Sequence, residues 1–186
     1  MSNAPEPYDP DRLAEKARRS DADALAHYSP ACPDHIDVPG FVKAFADGDI
    51  ARSYGILKQA NPLPEMCSHL TPPWLFDEAA REERALGQAP TPILDIQYTV
   101  AWLARDGGLP GVILPDMETG RHIGIVGGGP TGIACAVWLL EQGHHVTIIE
   151  RENALGGTPQ FMIPSRRLPD IQPEIDAVLA PALAAG

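Results

Sequence analysis

The chain has 186 residues, 44% of them hydrophobic, and a formal charge of −11 from 25 acidic and 14 basic side chains. That length suits one ordinary domain or two small ones and is too short for a complete two-nucleotide reductase. The acidity argues against nucleic acid as a partner, and no apolar run approaches the ~20 residues of a membrane span. The N-terminus, Met-Ser-Asn-Ala-Pro-Glu-Pro, lacks the basic and apolar regions of a signal peptide, and three widely spaced cysteines form no disulfide framework. A cytoplasmic location is the expectation.

Residues 1–8 are polar and Pro-rich and are expected to be a loose N-terminus. From Asp9 to His27 the pattern predicts one surface helix, capped by Asp9 or Asp11, with Leu13, Ala17 and Leu25 on its sparse apolar side. Tyr28 to Pro39 reads as a turn-rich connector. Two short helices are expected over 41–47 and 50–59, broken at Gly48-Asp49 and stopped by Asn61-Pro62, because the residue before proline is pushed out of the helical region. A further helix is expected over 73–86, opened by prolines, and an apolar one near 96–104. Residues 9–106 thus form a helical unit, 107–121 a linker, and 122–186 a second unit.

That second unit opens with the clearest signal in the chain. Ile123, Ile125 and Val126 suit a buried parallel strand, and glycines follow at once. Gly127, Gly129 and Gly132 fill the GxGxxG positions. The first permits a tight turn, the second lets a pyrophosphate approach the backbone, and the third lets the next helix lie close to the strand. A helix is expected from Pro130 to Gln142, with Gly143 as its stop, and a second strand from Val146 to Ile149. Glu150, at the end of that strand, stands where a ribose hydroxyl is bound. The pattern predicts a partial α/β Rossmann-like dinucleotide fold after an α-helical domain.

Several stretches in order resemble one family, the small subunit of NADPH-dependent glutamate synthase and the matching N-terminal region of dihydropyrimidine dehydrogenase. They are Cys32-Pro-Asp-His-Ile-Asp-Val-Pro-Gly-Phe41, Asn61-Pro-Leu-Pro-Glu-Met-Cys67, the GxGxxG block with Glu150, and Gly156-Gly157 followed by Ile163-Pro-Ser-Arg-Arg-Leu-Pro169. The resemblance implies a helical iron–sulfur domain followed by an FAD-binding one. It places Gly127, Gly128, Gly129, Pro130, Thr131, Gly132, Arg151 and Gly157 beside the cofactor's phosphates or flavin side, and Glu150 on the adenosine ribose.

The chain departs from that family in two ways. Two four-iron clusters need close to eight cysteine thiolates, and three cysteines are present. Where the family has other cysteines this sequence has Ser20, Asp23 and Tyr28 upstream of Cys32, and Thr71, Asp77 and Arg81 downstream of Cys67. Gln97 matches a glutamine ligand of dihydropyrimidine dehydrogenase. Cys135 is expected to be a small buried helix residue. His27, His35 and His69 match no zinc spacing, so no metal ligands are assigned and an iron–sulfur cluster is not expected. The second departure is that only two strands are evident, which leaves an apolar sheet edge open to a partner.

The reading that results is a small FAD-binding subunit of a pyridine-nucleotide-linked oxidoreductase complex, working with a larger redox subunit or a chain that completes it. The alternatives are a docking or assembly subunit without a cofactor, or a piece of a longer flavoprotein. No catalytic acid, base or nucleophile is named, because hydride chemistry belongs to the cofactor.

Overall fold

The computed structural model describes residues 8–185, so the expected loose N-terminus lies outside the described residues except for Tyr8. The chain divides into two compact units between Gly107 and Gly108.

The first unit is helical. Helix α1 (Pro10–Arg19) is capped by Asp9, whose carboxylate accepts the Asp11 and Arg12 amides. The expected continuous helix to His27 is broken at Ser20, because Asp21 is a second cap. Its carboxylate accepts the amides of Asp23 and Ala24 and starts α2 (Ala22–Ala26). The expected connector holds a turn of helix, α3 (Tyr28–Ala31). Helix α4 (Val38–Ala46) begins before the expected Phe41, since Asp37 accepts the Gly40 amide and Pro39 falls in the first turn, where its missing N–H costs nothing. Asp49 caps α5 (Ile50–Ala60) through the Arg52 amide.

Asn61-Pro62 does stop α5, but Pro64 at once opens a helix absent from the expectation, α6 (Pro64–Leu70). A 3-10 turn (Pro73–Phe76) leads into α7 (Asp77–Ala85), and α8 (Ile93–Asp106) runs past the expected segment at both ends. Phe41, Val42, Leu57, Ile96, Val100 and Ala104 are fully excluded from water and form the centre where α4, α5 and α8 meet. Arg105 joins α8 to α6 through two bonds to Glu65, Nε at 2.7 Å and Nη2 at 3.2 Å.

The second unit contains β1 (His122–Val126), α9 (Pro130–Glu141), β2 (His145–Ile149), α10 (Gly157–Met162) and α11 (Gln172–Ala185). The strands pair in parallel from His122 opposite His145 to Val126 opposite Ile149. Ile133, Ala136 and Val137 of α9 and Ile175 and Val178 of α11 are the buried residues behind the sheet. The expectation of fully buried strands is corrected: exposure alternates along both, with Val126 86% and Ile149 57% accessible. Among the described residues helices cover one face only.

The stretch expected as a linker belongs to this unit. Val112 is buried, a Cβ on Gly111 would lie 2.2 Å from Val178 Cα, and Thr119 donates its amide to Gly143 O at 2.8 Å. Cys135 is also corrected, since it lies on the exposed side of α9.

Candidate dinucleotide site

The strand, turn and helix expected at the glycines are all present. Gly127 has φ +103°, a left-handed conformation that L side chains rarely adopt, and its amide closes the end of the ladder by donating to Ile149 O at 2.9 Å. Gly132 lies directly above it. A Cβ there would sit 2.0 Å from Gly127 O, so the third glycine is required by the close approach of α9 to the turn. Gly129 differs from both. It is extended, it is the N-cap of α9, and an added Cβ would meet only Gly157 Cα, at 3.9 Å. The space over Gly129 is therefore open, while that under Gly132 is full.

Pro130 occupies the first position of α9, and no side chain caps this helix end. The amides of Thr131 and Gly132 consequently have no carbonyl in the preceding turn to bond, and they carry the positive end of a 12-residue helix. Diphosphate oxygens complement such donors.

A second loop closes on the turn. The Gly156 amide donates to Gly128 O at 2.8 Å, and Gly156 and Gly157 both have positive φ. A Cβ on Gly157 would approach Gly129 Cα to 2.9 Å, so two stretches of bare backbone face each other here. Glu150 links the same elements from the other side. Its Oε2 accepts the Gly128 amide at 2.7 Å, and its Oε1 accepts the amides of Arg151 at 2.7 Å and Glu152 at 3.0 Å. These amides, those of Glu152 and Gly128 foremost, hold the exposed carboxyl below the usual carboxylate range. With three of about four acceptor positions used, one is left for a ligand hydroxyl.

The predicted residues are not all equally placed. Gly127 to Gly132, Glu150 and Gly157 converge on one turn. Thr131 is exposed on it, whereas the Arg151 guanidinium pairs with Glu152 at 3.1 Å in solvent. Gly156 enters the sequence reading only through the Gly156-Gly157 motif, and Leu155 is assigned no role there. Leu155 Cδ2 would be 2.4 Å from a Cβ on Gly128, so its side chain covers part of the turn.

Comparison with known proteins fits this geometry. Residues 1–89 match the family model of dihydropyrimidine dehydrogenase domain II, 4Fe-4S cluster, and residues 125–161 match the NAD(P)-binding Rossmann-like domain. The glutamate synthase [NADPH] small chain of Azospirillum brasilense is 23% identical over 85% of this chain and 33% of its own length. This chain is a homologue of the glutamate synthase small chain. The NAD-dependent dihydropyrimidine dehydrogenase subunit PreT of Escherichia coli is 30% identical over 84% of the chain and 38% of its own length. The NADP(+)-dependent formate dehydrogenase subunit beta of Moorella thermoacetica is 29% identical over 80% and 24%. The chain thus spans about a third of the length of the glutamate synthase small chains it matches, 33%, 29% and 34% in three of them.

These matches correct the expected cofactors, FAD without an iron–sulfur cluster. The helical region matches a domain defined by a 4Fe-4S cluster, and the Rossmann segment matches one defined by NAD(P). The described side chains do not meet a cluster's needs. They contain no group of three or more His, Cys, Asp or Glu placed to hold a metal ion, Cys32 is buried and Cys67 half-buried. At two family cysteine positions, Tyr28 donates its hydroxyl to Glu83 at 2.7 Å, and the Ser20 hydroxyl meets that of Thr91 at 2.5 Å. These described residues do not present the four soft ligands of a cubane. No helix among the described residues is long and apolar enough to cross a membrane.

Proposed function

We propose that the chain is the dinucleotide-holding part of a pyridine-nucleotide-linked oxidoreductase complex, working beside a larger redox subunit or a chain that completes its fold. The observation that carries this reading is the pairing of an unfilled space over Gly129 with uncapped amides at the start of α9. Packing alone accounts for Gly132 but gives no reason for a glycine at 129.

In this reading a nicotinamide adenine dinucleotide lays its diphosphate over Gly127, Gly128 and Gly129, against the amides of Thr131 and Gly132. Pro130 fixes the backbone there without competing for the anion. Gly157 keeps the opposite wall free of side-chain atoms, and Arg151 lends a nearby positive charge. Glu150 accepts one ribose hydroxyl. Because its carboxyl is held ionised, it repels a phosphate on the ribose and favours the unphosphorylated nucleotide. When bound, the nicotinamide supplies hydride transfer; the protein supplies orientation and electrostatics. A cytoplasmic location goes with this reading, as do three free cysteines.

Calorimetric titration of the purified chain with NAD and NADP, oxidised and reduced, tests it. Saturable heat, stronger for the nucleotide without the 2′-phosphate, is expected. No heat with any of the four would favour a second reading, a docking subunit without a nucleotide, in which Leu155 over Gly128 closes the turn for good.

A further inference from the structure

The end of β2 carries two opposite instructions for a nucleotide. Glu150 offers its remaining acceptor position to a ribose hydroxyl and repels a phosphate there, while the next residue is Arg151, and a nearby arginine is what accommodates a 2′-phosphate in dinucleotide folds. Both side chains spring from one place. Glu150 Oε1 accepts the Arg151 amide at 2.7 Å and the Glu152 amide at 3.0 Å, so main-chain bonds hold the two following residues beside the group that reads the ribose.

Glu152 settles the conflict. Its Oε1 accepts the Arg151 Nε–H at 3.1 Å, and its side chain is 46% exposed against 90% for the arginine. An arginine grips a phosphate through two parallel N–H bonds, and the side-on fork that could do so contains Nε. Glu152 occupies that fork and cancels the guanidinium charge, so the stretch from Glu150 to Glu152 keeps one net negative charge where a 2′-phosphate would arrive. A role in holding the loop explains the pair poorly, since an ion pair this exposed contributes little to stability. Its larger effect is on a charge bound beside it. We propose that Glu152 is a specificity-determining residue of the dinucleotide site, excluding 2′-phosphorylated nucleotides by engaging the guanidinium that would receive the phosphate. This rests on the reading of the glycine turn as a nicotinamide dinucleotide site and names the pair that sets the choice between the two nucleotides.

Calorimetric titration of the full chain with NAD and with NADP gives the ratio of the two affinities, and the thermal midpoint checks the fold. Glu152→Gln should lower the preference for NAD by about threefold, the scale of an exposed ion pair, chiefly through a gain for NADP. Arg151→Ala should raise the preference, and Glu152→Gln added to it should have no further effect. The Arg151 Nε–H resonance, identified by its loss in Arg151→Ala, gives a separate readout. Adenosine 2′,5′-bisphosphate should shift it in Glu152→Gln and leave it in place in the unaltered chain, while ADP moves it in neither. An unchanged preference in Glu152→Gln overturns the proposal. An equal change with and without Arg151 overturns it in favour of plain repulsion by the Glu152 charge. If neither nucleotide gives heat with the unaltered chain, the dinucleotide reading falls and the proposal with it, whereas NAD binding with an unmoved preference sinks the proposal alone.

Discussion

Glu150 accepts the Gly128 amide at 2.7 Å and thereby ties the end of β2 to the middle of the glycine turn. Its carboxyl is held below the usual range by the amides that it accepts, so the folded turn prefers the ionised form. A lowered folded-state value makes this contribution fully present above the ordinary value of 4.5 and lost as pH falls through the folded one. Amide exchange at Gly128 should therefore be insensitive to pH-dependent opening near neutrality and show extra opening only as pH falls below the ordinary carboxylate value of 4.5. Glu150→Gln should remove that acid limb and relax the discrimination between NAD and NADP.

Gly129 and Gly132 should separate ligand from fold. A Cβ at Gly129 meets only an atom 3.9 Å away, so Gly129→Ala should leave the thermal midpoint nearly unchanged and weaken dinucleotide binding. A Cβ at Gly132 would strike a backbone oxygen at 2.0 Å, so Gly132→Ala should cost about 3 kcal/mol of stability as α9 is forced off the turn. Paired melting and titration curves check both.

Glu83 is fully buried and accepts from the Tyr28 hydroxyl at 2.7 Å, the Thr91 amide at 2.8 Å and the Thr91 hydroxyl at 2.5 Å. Burial first, then the hydrogen bond to Glu83 and its charge, push the Tyr28 phenol up. Glu83→Ala strands these donors and should destabilise the helical unit by about 3 kcal/mol, against about 1 kcal/mol for Tyr28→Phe, which leaves Thr91 to satisfy the carboxylate. Urea unfolding at neutral pH measures the difference.

Arg105 and Glu65 are joined by two bonds and are only 20% and 10% exposed. A double-mutant cycle with Arg105→Met and Glu65→Gln should return a coupling of about 1–2 kcal/mol, more than a solvent-exposed pair gives. The exposed i, i+4 pair Lys43 and Asp47, at 3.5 Å, should give about 0.3 kcal/mol by the same method.

The nucleotide turn was legible in the sequence because its requirements are local: a left-handed residue, an open approach and a tight contact fall within six positions of one strand-to-helix turn. Helix boundaries were less legible where two signals compete. Asp21 lies inside an apolar helical pattern, yet as an N-cap it ends one helix and starts another. Pro64 follows a stop and itself begins α6. The open sheet face could not be read at all. Ile125, Val126, Ile148 and Ile149 have the composition of buried strands, and only the number of covering elements decides whether they are buried. Glu83 was equally hidden, since a run of Glu and Arg on a helix predicts a solvated face until Tyr28 and Thr91 are brought to it.

Where Gly132 meets the Gly127 carbonyl and Gly157 meets the Gly129 Cα, the neighbour is main chain on both sides. A clash between side chains can be repaired by trimming the partner, but nothing here can be trimmed. Suppressor screens starting from damage at these two contacts should return only true revertants or shifts of a whole helix, which makes them the least forgiving places in the molecule for drift.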